Sequence, residues 1–112
     1  MTLTIALKTT ALTNINCSEE VSVLDGTTSP RFLAESNSVA ATGKGTTRTC
    51  NLSIPYSWGL TTQASDNMTT SYSVFGITTT GVPERTSSLS PLDTRKVPAK
   101  GVTTALTAAV TL

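Results

Sequence analysis

The stretch Val102-Thr-Thr-Ala-Leu-Thr-Ala-Ala-Val-Thr-Leu112 alternates at every step. Val102, Thr104, Leu106, Ala108, Val110 and Leu112 fall on one side, and Thr103, Ala105, Thr107, Ala109 and Thr111 on the other. That is the two-residue period of a half-buried strand. The same beat runs upstream. Leu3, Ile5 and Leu7 alternate with Thr4, Ala6 and Lys8, which predicts a strand over about Thr2 to Thr9, with Asn14 to Leu24 as its hairpin partner. Asp25-Gly26 and the following Thr-Thr-Ser-Pro30 read as a turn, because glycine supplies positive φ and proline lacks the ladder donor. Arg31 to Val39 suits a short strand better than a single helical turn. After a second turn at Gly43-Lys44-Gly45, Thr46 to Ile54 sets Arg48, Cys50, Leu52 and Ile54 against Thr47, Thr49, Asn51 and Ser53, and Pro55 closes the ladder.

Downstream of a polar loop from Gly59 to Met68, the strand Thr69 to Thr78 carries Tyr72, Val74, Phe75 and Ile77 on both faces, as a covered central strand does. Thr79 to Gly101 reads as one long loop, punctuated by Gly81, Pro83, Pro91, Pro98 and Gly101. The closing stretch keeps one competitor: Val102, Leu106 and Val110 also sit at helical spacing, although its threonines and Gly101 lower helix propensity. The fold class that follows is mainly β, an antiparallel meander sheet with an amino-terminal hairpin and little or no helix. An immunoglobulin-like β-sandwich is the alternative.

Composition narrows this reading. The 112 residues suit one domain, 1–112, whose core at this size is adequate and no more. Charged residues make up only 13% of the chain, about half the usual share, and the polar mass is β-branched threonine, so disorder is not expected. A net charge of +1 argues against nucleic-acid binding driven by charge alone. No apolar run approaches the roughly 20 residues of a membrane-spanning helix, so a soluble chain with no membrane partner is expected. Met1-Thr-Leu-Thr-Ile has no charged segment of a secretory signal, which favours an intracellular product; a mature secreted chain is the other reading.

The chemistry is sparse. With no histidine, the commonest general base and metal ligand is absent, along with every Ser-His or Cys-His pair. Glu19 and Glu20 are the only neighbouring acids, and adjacent strand positions point to opposite faces. The chain is therefore not expected to be an enzyme, nor to take a cofactor, a metal or a small-molecule substrate. Cys17 and Cys50 are disulfide candidates in an oxidising compartment and two small buried side chains otherwise. The hydroxyl and amide row Thr47, Thr49, Asn51 and Ser53, flanked by Lys44, can offer hydrogen bonds to phosphates and base edges. Trp58, beside Tyr56, reads as a core or interface anchor, and as a subunit-contact candidate. Arg85, Arg95, Lys96 and Lys100 are half of the chain's eight basic residues and gather in the long segment, as a contact region for neighbouring subunits would have them.

Taken together, the amino-terminal hairpin, Arg31-Phe-Leu-Ala-Glu, Arg48-Thr-Cys-Asn-Leu-Ser-Ile, Thr70-Ser-Tyr-Ser-Val, the proline-containing loop and the final strand resemble the coat proteins of single-stranded RNA bacteriophages. The resemblance implies a subunit that self-assembles into a dimer-based capsid in the host cytoplasm. RNA would lie against the sheet at Lys44, Thr47, Thr49, Asn51 and Ser53, with Ser71 and Ser73 nearby, and neighbours would meet the 79–101 segment. In that family two carboxy-terminal helices close the dimer, which the helical alternative for the closing stretch would supply. A second layout is similar to chaperone-usher pilins and spore-coat-U-like domains: Cys17 near the end of a first strand, Cys50 at the start of another, Tyr72-Ser-Val-Phe-Gly76 and Val97-Pro-Ala-Lys-Gly-Val before alternating residues. It implies an extracellular fimbrial subunit that polymerises by donor-strand exchange. Both make the chain's principal partner another copy of itself.

Overall fold

A computed structural model describes residues 1–8, 11–26, 28–60, 66–85 and 90–112, leaving aside the side chains of 85, 90 and 91. These residues form β1 (Thr2–Ala6), β2 (Leu12–Asp25), β3 (Arg31–Ala40), β4 (Thr47–Asn51), β5 (Asn67–Thr78), β6 (Pro83–Arg85), β7 (Ser90–Lys96) and β8 (Thr107–Thr111). No helix occurs among them. The fold is mainly β, and every ladder is antiparallel except that between β1 and β8.

The strands make two sheets. The smaller has the order β4-β1-β8, and the larger the order β3-β2-β5-β6, with β7 also on β5. Their apolar faces meet: Leu3, Ile5 and Leu7 from the first strand and its exit, with Cys50 and Leu52, pack against Ile15, Cys17 and Val74 of the larger sheet. This changes one expectation. The first strand does not form a hairpin with the second; β1 pairs instead with β4 and β8, and β2 with β3 and β5. Placing β1 and β2 in opposite layers lets each apolar row cover the other, whereas side by side both rows would need a separate cover. At Asn14, φ is 49° and the β2–β5 register shifts between Thr13 and Asn16. This bulge turns both Leu12 and Ile15 inward although they are three residues apart. Gly76 opposite them leaves room, since a Cβ there would lie 3.4 Å from the Ile15 side chain and 3.8 Å from Leu112.

The described part of the 79–101 segment is likewise not one loop, since it contributes two strands. β6 and β7 pair successive stretches of the same edge of β5, Phe75–Ile77 and then Asn67–Tyr72. Its prolines are compatible with this because an edge strand has one side of donors to spare; Pro83 starts β6, and the register shifts beside Pro91. The closing stretch is a strand, as its alternation predicts, but over Thr107–Thr111 only, and 102–106 is irregular.

The two layers are unequal. β2 and β5 have 14 and 12 residues, while β1, β4 and β8 have five each. The small sheet therefore covers only part of the large one, and the molecule measures 50 × 24 × 17 Å. Its radius of gyration, 16.0 Å, exceeds the roughly 13 Å of an equally long compact chain. Beyond the small sheet, Val21, Met68 and Thr70 face the irregular segments 52–60 and 97–106 across a cleft of about 740 Å³.

Candidate interaction surfaces

On the small sheet, β4 turns Thr47, Thr49 and Asn51 to the side opposite buried Cys50. The register sets them beside Ala6, Thr4 and Thr2 of β1, and these beside Thr111, Ala109 and Thr107 of β8. The expected hydroxyl row is thus one column of an uncharged, threonine-rich grid. Parts of it are engaged internally: Thr2 Oγ1 donates to Asn51 Oδ1 at 3.2 Å, and Thr42 Oγ1 to the Thr49 carbonyl at 3.3 Å. Ser53 lies exposed beyond β4, its carbonyl accepting from Asn37 Nδ2 at 3.0 Å, and Lys44 lies exposed in the turn before β4. The structure therefore brings Thr47, Thr49 and Asn51 onto one face and leaves Lys44 at its end.

The basic candidates are scattered. Arg95 donates from Nε to Asp93 Oδ2, a neighbour two positions away, and this hydrogen bond holds the Asp93 carboxyl below its ordinary range. Lys96 projects from β7, Lys100 lies in the turn at 100–101, and the Arg85 backbone pairs with Phe75. Trp58 is half-buried in the segment after β4, its ring centroid 4.8 Å from that of Tyr56. It lines the cleft, as does Lys100. Burial beside this cleft pushes the Tyr56 hydroxyl pKa up.

Cys17 and Cys50 are joined, fully buried, linking β2 in one layer to β4 in the other. Two features escaped sequence reasoning. Glu19 points inward from β2 and is only 6% exposed; burial raises its carboxyl pKa, partly offset by the Met1 ammonium 3.7 Å away. A strand's alternation announces which residues point inward but not what a buried acid will meet. At the tip of the large sheet, Leu24 and Phe32 are cross-strand neighbours and both exposed, at 57% and 66%.

The sheet edges differ more than the faces. β3 carries Arg31 and Glu35, and its Ser38 N–H is taken by Asn37 Oδ1 at 2.8 Å. β4 is capped on its outer side by paired bonds between Thr42 and Thr49 of 2.8 and 2.9 Å. The β6–β7 edge holds two prolines and four charged residues, Glu84, Arg85, Asp93 and Arg95, before Lys96. Only β8 has no charge, proline or capping segment among the described residues, and such devices are how proteins blunt exposed edges. The uncharged run from Val102 to Leu112 is the sequence signal that would have found it. No known protein family, curated protein or solved structure matches this chain.

Proposed function

We propose that this chain is a structural subunit that assembles with copies of itself by joining sheet edges. The observation that carries the reading is the contrast among the edges: β3, β4 and β6–β7 are guarded by charge, proline or local pairing, and β8, among the described residues, is not. An unguarded edge is best accounted for by a partner strand. Of the two family readings, the extracellular fimbrial one gains support from the interior Cys17–Cys50 bond, which belongs in an oxidising compartment. Sedimentation velocity from low micromolar to millimolar concentration tests the assembly reading: it requires dimers or larger species whose share rises with concentration, and a monomer throughout would overturn it. RNA recovered with closed particles would favour the capsid reading, and RNA-free fibres the fimbrial one.

A further inference from the structure

We infer that the partner of β8 is the β8 of a second copy, running antiparallel about a two-fold axis through Ala109 and fusing two small sheets into one. This rests on the assembly reading above and names its partner and register.

The backbone fixes which groups are on offer. Leu106 C=O accepts from Thr2 N–H at 2.8 Å, Leu112 N–H donates to Ala6 C=O at 3.0 Å, and Leu112 C=O accepts from Lys8 N–H at 2.7 Å. The even-numbered residues of this strand thus turn their peptide groups toward β1. Peptide groups alternate sides along a strand, so Thr107, Ala109 and Thr111 turn theirs to the open edge. An antiparallel neighbour bonds through every second residue, in pairs that exchange both hydrogen bonds. Centred on Ala109, that pattern places Ala109 against the second copy's Ala109, and Thr107 against its Thr111.

The side chains fit the same register. Leu106-Thr-Ala-Ala-Val-Thr-Leu112 reads nearly alike in both directions. Two-fold pairing therefore sets threonine opposite threonine on the outer face, a favourable cross-strand pair. On the inner face it sets Ala108 opposite Val110 and Leu106 opposite Leu112. Ala108 and Val110 pack against the core but remain half-buried, and the added strand covers the flank they expose. No like charges meet anywhere in the run. A one-residue slide would bring the inner apolar row onto the outer face, and a two-residue slide would set Thr107 or Thr111 opposite Ala109 instead of threonine opposite threonine, so the threonine pairs select this centre.

The test exploits the axis. Ala109 is exposed on the outer face, so Ala109→Lys and Ala109→Glu leave the core untouched, and circular dichroism with thermal melting checks that each variant folds as the parent does. Because position 109 faces itself across the axis, either variant alone sets like charges opposite each other and weakens dimerisation by about tenfold or more, read by sedimentation equilibrium. Mixing the two restores a one-to-one heterodimer, seen by native mass spectrometry. Full-strength assembly of each single variant, or a mixture that does not recover, overturns the two-fold pairing while the assembly reading stands. A parent chain that stays monomeric overturns both. Ala109→Pro provides a second arm: it deletes a donor that points away from β1, so the fold persists and the dimer is lost, and a dimer that survives it also refutes the pairing.

Discussion

Breaking the Cys17–Cys50 bond is the sharpest test of how the two layers are held. The bond closes a loop of 33 positions and joins β2 to β4 across the interior. Loop-closure entropy for a link of this span is about 12–13 cal/mol/K, or about 4 kcal/mol at room temperature. A domain of this size has a total stability of roughly 5–15 kcal/mol, so the bond holds a large share of it. With an unfolding entropy near 2 cal/mol/K per residue, that loss lowers the melting temperature by about 15 °C. Both sulfurs are fully buried, so Cys17→Ala with Cys50→Ala leaves a gap as well as an open loop. Reduction at nearly constant volume isolates the loop effect. The assay is thermal and urea unfolding of the parent with and without reductant, beside the double variant, with the bond's presence read by intact mass. A drop on reduction smaller than about 1 kcal/mol, in a chain whose mass shows the bond, would refute the reasoning, because the unfolded chain would then gain little freedom from its loss.

Three further perturbations have defined outcomes. Burial raises the Glu19 pKa, and an acid raised above its ordinary 4.5 loses stability as pH climbs from that value through the folded one. Glu19→Gln, neutral at every pH, should match the parent in acid and exceed it near neutrality; urea melts at both pH values decide, and a deficit at neutral pH counts against the assignment. Gly43 has φ of 113° and a Cβ there would meet the Thr47 carbonyl at 2.8 Å, whereas Gly45, at 65°, has open space. Gly43→Ala should therefore cost more than 1 kcal/mol and clearly more than Gly45→Ala, measured by chemical unfolding. Leu3, with no exposed surface, points between the layers, so Leu3→Ala should cost about 2–5 kcal/mol, while Thr4→Ala on the outer face should stay within about 1 kcal/mol.

What could be read in advance follows the range of the forces involved. Alternation is local, so Leu3-Ile5-Leu7, Cys50-Leu52 and Ala108-Val110 declared their inward faces from the sequence alone. Which strand lies beside which is not local. Nothing near Asn14 says that β2 belongs to the layer opposite β1, because that choice is made by apolar rows distant in sequence. The prolines misdirected the reading of 79–101: Pro83 and Pro91 exclude a central strand but permit an edge, and whether an edge exists depends on the free side of β5. Of the site candidates, Thr47, Thr49 and Asn51 were placed together by strand period. Arg95 was drawn off by Asp93 two residues along, Lys96 stays at the end of β7, and Lys100 lies in the turn at 100–101. The β8 edge was visible only as an absence of charge, a signal that gains meaning once the other edges can be compared with it.

The single parallel ladder, between β1 and β8, has a consequence for the order of events in folding. β1 is the middle strand of the small sheet, yet its neighbours are β4 and a strand at the far end of the sequence. During synthesis the β2–β3 hairpin and its pairing with β5 can close while β1 still lacks one side. Leu3 and Ile5 must wait exposed, or half-covered by β4, until Thr107–Thr111 has left the ribosome. Long-range closure of this kind slows folding and lengthens the time during which an unpaired strand is open to other chains. The small sheet is thus the last piece to be completed, and the strand that completes it is the one whose outer edge remains available.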